Sequence, residues 1–181
     1  GNFIKEDETY LVDRQKVIAE SKAMQKAMSS VSRQCFYVPN VSAYFRNLGF
    51  LEELQDAGIR AVLLNYFIAG LPSVQAVRRS ATGLLFWGHR VGYNAIENTL
   101  SMAAVTALAA YAGIDLIHVG TPIPFDREGK QICRRILGSM ANVNPKIVPV
   151  FTKTSVSLPP RLKKHFGKSI VVMACGGIRT A

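Results

Sequence analysis

A chain of 181 residues, 49% of them hydrophobic, is long enough for one domain with a real core, which excludes disorder over most of its length. Its formal net charge of +10 invites a nucleic-acid partner. The basic clusters KQICRR (130–135) and RLKKHFGK (161–168) argue against one, because they lack aromatic interleaving suited to base stacking and read as outward helix faces.

In chain order, the first feature is FIKEDE (3–8), where Lys5 precedes Asp7 and Glu8. The run reads either as a solvated charge run opening a helix or as a hard-metal site. In the second reading Asp7 and Glu8 are oxygen ligands and Lys5 is an unusual third. A helix is expected over about 12–29, then a strand at CFYVPNVS (35–42) and a helix at 46–58 ending at Gly58. A continuous apolar strand follows at 60–67, a helix at 73–82, a strand at 83–90, and an alanine-rich helix from about Glu97 to Ala112. DLIHVGT (115–121) reads as a strand and 126–140 as a helix. A longer return through KIVPVFTKTSVS (146–157) then leads to SIVVMACGG (169–177), which closes the series.

Cys35, Cys133 and Cys175 are far apart with no CxxC spacing, so neither a zinc site nor a disulfide framework is expected and a reducing compartment is the default. The start carries no basic segment followed by an apolar one, so no signal peptide is read there. The longest apolar stretches, 59–72 and 101–117, are interrupted by Arg60 and Asp115 and too short to span a bilayer. These features predict a soluble, cytoplasmic protein without a membrane partner.

Runs apolar on both faces, alternating with helices, are the mark of a parallel sheet covered on both sides. Five β-α steps at roughly regular spacing predict an α/β fold forming part of a (β/α)8 TIM barrel, with a doubly wound sheet as the alternative. In both architectures chemistry lies beyond the C-terminal ends of the strands. Those ends carry Asn40 and Ser42, Asn65, the pair His89 and Arg90, His118 with Gly120, and the triplet Cys175, Gly176 and Gly177. Each alone has an ordinary structural explanation: a core histidine, a salt-bridging arginine, a glycine turn. Polar groups at five strand exits together point to a site, and paired glycines leave backbone N–H groups free for a phosphate.

FIKEDE, GHR (88–90), GIDLIHVGT (113–121) and ACGGI (174–178) occur in an order and spacing that resembles the barrel of the RuBisCO large-chain superfamily, most like its RuBisCO-like, enolase-type (form IV) members. The resemblance covers nearly the whole chain, from the exit of the second strand through the seventh. It implies that residues 1–181 form a single domain, most of the catalytic barrel, without the family's N-terminal α+β domain, its first strand, or its eighth strand with phosphate-binding glycines. It implies that Lys5 is carbamylated by carbon dioxide and binds Mg2+ with Asp7 and Glu8. A carbamate supplies the anionic oxygen that a lysine lacks, and oxygen ligands suit a hard octahedral cation. By the same resemblance His89 contacts a substrate oxygen, Arg90 and His118 hold a substrate phosphate, and Cys175, Gly176 and Gly177 meet the substrate's other end. A homodimer or higher homo-oligomer is implied as well.

The sequence also departs from the family. Carboxylating members place a lysine seven residues beyond the sixth-strand histidine, where this chain has Phe125; Lys130 is nearby but out of register. Their second histidine, four residues after the first, is Tyr93, and the serine is Cys175, a weaker hydrogen-bonding group. The resulting expectation is a Mg2+-dependent enzyme that enolises a phosphorylated ketone, as an enolase, isomerase or related decarboxylase (lyase), and does not fix CO2. The alternatives are a ribulose-bisphosphate carboxylase and a catalytically silent homologue serving as a binding or assembly module.

Overall fold

Asp13 has extended backbone and its carboxylate accepts the Gln15 N–H, so helix α1 begins behind it and runs Arg14–Val31. Asn47 caps helix α2 (Leu48–Asp56) in the same way, accepting the Phe50 N–H at 3.0 Å. Arg14 fastens α1 to α2: it pairs with Glu53 and sits over the Phe50 ring. This computed structural model describes residues 13–32, 34–80, 83–121, 125–152 and 157–173. The chain divides into two compact units, Gly1–Val91 and Gly92–Ala181.

In the first unit, strand β1 (Ala61–Asn65) pairs in parallel with strand β2 (Leu85–His89), with Asn65 opposite His89. The expected strand at 35–42 is reduced to a parallel bridge between Asn40 and Leu63. Pro39 is the reason. It offers its carbonyl to the Leu63 N–H at 2.8 Å but has no N–H to extend a ladder. Asn40 then turns the chain by accepting the Ser42 N–H. Strand β1 also stops short of the expected 67, because Asn65 caps a short helix α3 (Tyr66–Ala69). Helix α4 (Leu71–Ser80) returns the chain, and Arg78 ties it to β2, donating to the Leu84 carbonyl and lying 3.7 Å above the Phe86 ring. Phe45, Phe50, Leu64 and Phe86 are fully buried, and Phe45 meets Phe86 edge-on.

In the second unit, the expected helix 97–112 begins later. A single 3-10 turn occupies Tyr93–Ala95, and helix α5 (Met102–Tyr111) starts only where Ser101 can accept the Ala104 N–H. Helix α6 (Arg127–Val143) lies against α5 through small residues: Ser139 Oγ donates to the Ala103 carbonyl at 2.9 Å. Three parallel strands follow one another, β3 (Leu116–His118), β4 (Val148–Phe151) and β5 (Val171–Val172), with helix α7 (Pro159–Phe166) between the last two. Residues 146–157, expected as part of a longer return, thus hold a strand of their own, so the β-α series runs one strand further than expected.

Among the described residues, strands adjacent in sequence pair in parallel within each unit, with no reversal of order. This is the succession of a (β/α)8 barrel, present in part. No described helix is long and apolar enough to cross a membrane.

Candidate functional site

At the strand exits of the first unit, buried polar groups form a continuous chain. Ser42 Oγ donates to Asn40 Oδ1 at 2.7 Å and accepts the Asn65 N–H at 2.8 Å. Asn65 Oδ1 accepts the Phe67 N–H at 2.9 Å, and its Nδ2 donates to the Val91 carbonyl at 3.0 Å. Ser42 is 5% exposed and Asn65 1%, so the bond between them is made away from water, where an unmade bond is costly. They act on the segment that follows β2. His89 is the ladder partner of Asn65, and Arg90 lies between His89 and the tethered Val91. Both His89 and Arg90 are half-buried.

In the second unit, His118 ends β3 and is 2% exposed, opposite Val150 of β4. Beyond it the Val119 N–H reaches the Val150 carbonyl, Gly120 takes φ +79°, and the Thr121 hydroxyl donates to the Thr152 carbonyl. The loops after β3 and β4 are therefore clamped together just past the histidine. The left-handed turn at Gly120 is one that a side chain resists. The Tyr93 hydroxyl donates to the Leu100 carbonyl at 3.1 Å, within its own loop.

Phe125 lies just before α6, in an aromatic and cationic setting. The Arg161 guanidinium lies 4.6 Å from its ring centroid and the Lys130 Nζ 5.3 Å. His165 and Phe166 of α7 contact the same ring, and Phe166 stacks on Phe151 of β4.

The structure thus joins Asn40, Ser42 and Asn65 in one network and places His89 and Arg90 at its edge. His118 is set in a clamped exit of its own unit. Lys5, Asp7, Glu8, Cys175, Gly176 and Gly177 lie outside the described residues. Among the described residues no three His, Cys, Asp or Glu side chains gather as a metal site. The Thr121–Thr152 clamp and the ring of contacts around Phe125 were not expected, since 31 and 36 residues separate the partners and no local motif announces them.

No family model matches the chain. A ribulose bisphosphate carboxylase of Methanocaldococcus jannaschii is 24% identical over 176 residues, 84% of this chain and 41% of that protein. The octameric RuBisCO structure from Pyrococcus horikoshii superposes with a TM-score of 0.76 at 20% identity, over 91% of this chain and 43% of that one. A RuBisCO-like protein from Burkholderia fungorum gives 0.72 at 16% identity, over 88% of this chain and 42% of its own. The chain spans less than half the length of each of these proteins.

Proposed function

We propose that this chain, similar in sequence to a ribulose bisphosphate carboxylase and in fold to RuBisCO, is a member of the RuBisCO superfamily that enolises a phosphorylated ketone with the help of Mg2+ and does not fix CO2. The observation that carries the reading is the setting of Phe125. Carboxylation needs a cation over the new carboxylate, and by register Phe125 takes the place of that cation. Its ring is engaged with Arg161, His165 and Phe166, and the nearby Lys130 is itself drawn to that ring.

Enolisation asks for less: a polarised carbonyl, a base and an oriented phosphate. We assign Lys5, as its carbamate, with Asp7 and Glu8 to Mg2+, because that donor set is all oxygen and suits a hard cation. When bound, the metal supplies Lewis-acid polarisation of the substrate carbonyl. Lys5 and His89 are the proposed catalytic residues. Arg90 and His118 are proposed for the phosphate, with the Asn65 tether to Val91 supporting a fixed position for Arg90. Cys175, Gly176 and Gly177 are proposed for the substrate's other end. If FIKEDE closes a second strand and the Asn40 bridge stands for a third, β1 to β5 count as fourth to eighth. The glycine pair then follows an eighth strand, and its backbone N–H groups are proposed as the family's phosphate-binding glycines.

Both units are proposed to belong to one barrel domain of a cytoplasmic homo-oligomer, a reading supported by the octameric form named for the Pyrococcus horikoshii protein. The name of the Methanocaldococcus relative favours a second reading, a carboxylase. Solvent-deuterium exchange into candidate keto-phosphates, run beside fixation of labelled bicarbonate, tests both. Exchange without fixation supports the proposal and fixation overturns it; neither activity would leave the silent homologue.

A further inference from the structure

The connection from β3 to α6 is fastened at both ends, and both fastenings reach the same place. At its start the Thr121 hydroxyl donates to the Thr152 carbonyl. At its end Phe125 meets the Phe166 ring of α7 edge-on, with centroids 6.4 Å apart, and Phe166 stacks on Phe151 at 5.2 Å. Phe151 and Thr152 are neighbours at the end of β4. Phe151 is fully buried, and its carbonyl accepts the Met173 N–H from just past β5 at 2.8 Å.

Only three residues (122–124, two of them proline) separate the two anchors in sequence. Making one fastening therefore raises the local concentration of the other, so the pair holds more firmly than either alone. Phe125 also precedes the Asp126 cap of α6, a position whose apolar side chain ordinarily packs on the fourth helical residue. That fourth residue is Lys130, whose ammonium lies 5.3 Å from the Phe125 centroid. One ring thus serves the start of its own helix and the end of β4 at once.

We propose that Thr121 and Phe166 are positioning residues that lock the exit of β3, and His118 with it, to the end of β4 before any substrate arrives. His118 stands three residues before Thr121, and between them the Val119 N–H is already held by the Val150 carbonyl. The start of α6 then does not travel relative to β4 during turnover. Substrate meets a His118 exit already in its working geometry, and no ordering of that exit stands between binding and chemistry. The benefit to catalysis rests on the proposed role of His118 at the phosphate; the lock itself does not.

The experiment uses the full chain without substrate, so its failure is distinct from a failure of the enolisation reading. The three histidine rings are followed by NMR relaxation dispersion, beside amide exchange read by mass spectrometry. In the wild type His118 is expected to give one resonance free of millisecond exchange. Phe166→Leu removes both ring contacts, and Thr121→Val removes the hydroxyl donor at similar volume. Each should broaden His118 and speed amide exchange in peptides spanning 119–127 by about two- to tenfold. Phe166→Tyr keeps the ring and should behave as wild type. Millisecond exchange at His118 in the wild type, an unmoved His118 in both Phe166→Leu and Thr121→Val, or equal broadening of His89 in the first unit overturns the proposal.

Discussion

The Asn65 side-chain amide donates to the Val91 carbonyl at 3.0 Å, while the oxygen of the same amide accepts the Phe67 N–H. One buried side chain therefore both starts the helix after β1 and pins the segment after β2. Replacing Asn65 by Ala leaves the part-buried Phe67 N–H and Val91 carbonyl without this partner, which costs about 1–3 kcal/mol if each bond is worth on the order of 0.5–1.5 kcal/mol. Urea denaturation should show the midpoint falling with an unchanged slope. Asn65→Asp keeps the acceptor for Phe67 but sets a buried carboxylate oxygen against the Val91 carbonyl, so at neutral pH it should be no more stable than Asn65→Ala. Equal stability of Asn65→Ala and wild type would mean that the network is dispensable.

Arg90, set between His89 and the tethered Val91, should contribute a charge-assisted contact to phosphate-bearing ligands. Such contacts are worth about 1.5–3 kcal/mol, so Arg90→Ala should weaken affinity for a keto-phosphate by roughly ten- to a hundredfold. Titration calorimetry checks this, with circular dichroism to show that the fold persists. Unchanged affinity would make Arg90 structural.

Bicarbonate should strengthen Mg2+ binding, because a carbamate on Lys5 adds an anionic oxygen to those of Asp7 and Glu8. Asp7→Ala should abolish that gain. Equal and weak binding by wild type and variant would remove these three residues from the metal site.

Alternation of apolar runs with helices was enough to read the fold class, since burying both faces of each strand leaves a signal in composition. The edges were less legible. Nothing apolar about CFYVPNVS reveals that Pro39 lacks a ladder donor, and the strand shrinks to one bridge. KIVPVF looked like part of a return because β4 has only four residues before the chain leaves the sheet. Asn65 was legible as a polar residue at a strand end, but its partner Val91 was not, because a backbone carbonyl 26 residues away has no sequence signature. The cations about Phe125 read as solvated helix faces, since sequence does not reveal that α6 and α7 bring theirs to the same ring.

Cys133 offers a check on the core of the second unit. It is 4% exposed, and burial, only partly offset by Arg134, pushes its thiol up to about 12. The folded state therefore favours the thiol. As pH rises above the ordinary value of 9.0 the unfolded chain loses its proton first, and stability should decline between there and about 12. At pH 8 about one thiol in ten thousand is ionised, so Cys133 should resist alkylation while the half-buried Cys35 reacts. Mass spectrometry after a timed iodoacetamide pulse, native and in urea, reads this directly. Rapid native labelling of Cys133 would contradict the burial described.

The setting of Phe125 leads to the sharpest prediction, that enolisation and carbon fixation separate in this protein. Restoring the charge alone, as Phe125→Lys, should not create a carboxylase. The new ammonium would stand beside Arg161 and Lys130, whose groups now lie 4.6 and 5.3 Å from the ring centroid, and like charges at such distances repel. Adding Arg161→Gln and Lys130→Gln removes that repulsion and frees the introduced lysine to reach a developing carboxylate. If one missing cation is the main barrier, it withholds about 3–4 kcal/mol, by analogy with oxyanion donors, and the triple variant should fix labelled bicarbonate at least about a hundredfold faster than wild type. Solvent-deuterium exchange, which does not need that cation, should differ little between the two. Fixation by the wild-type chain would refute the separation. A triple variant that exchanges deuterium but fixes nothing would show that Phe125 is not the main obstacle.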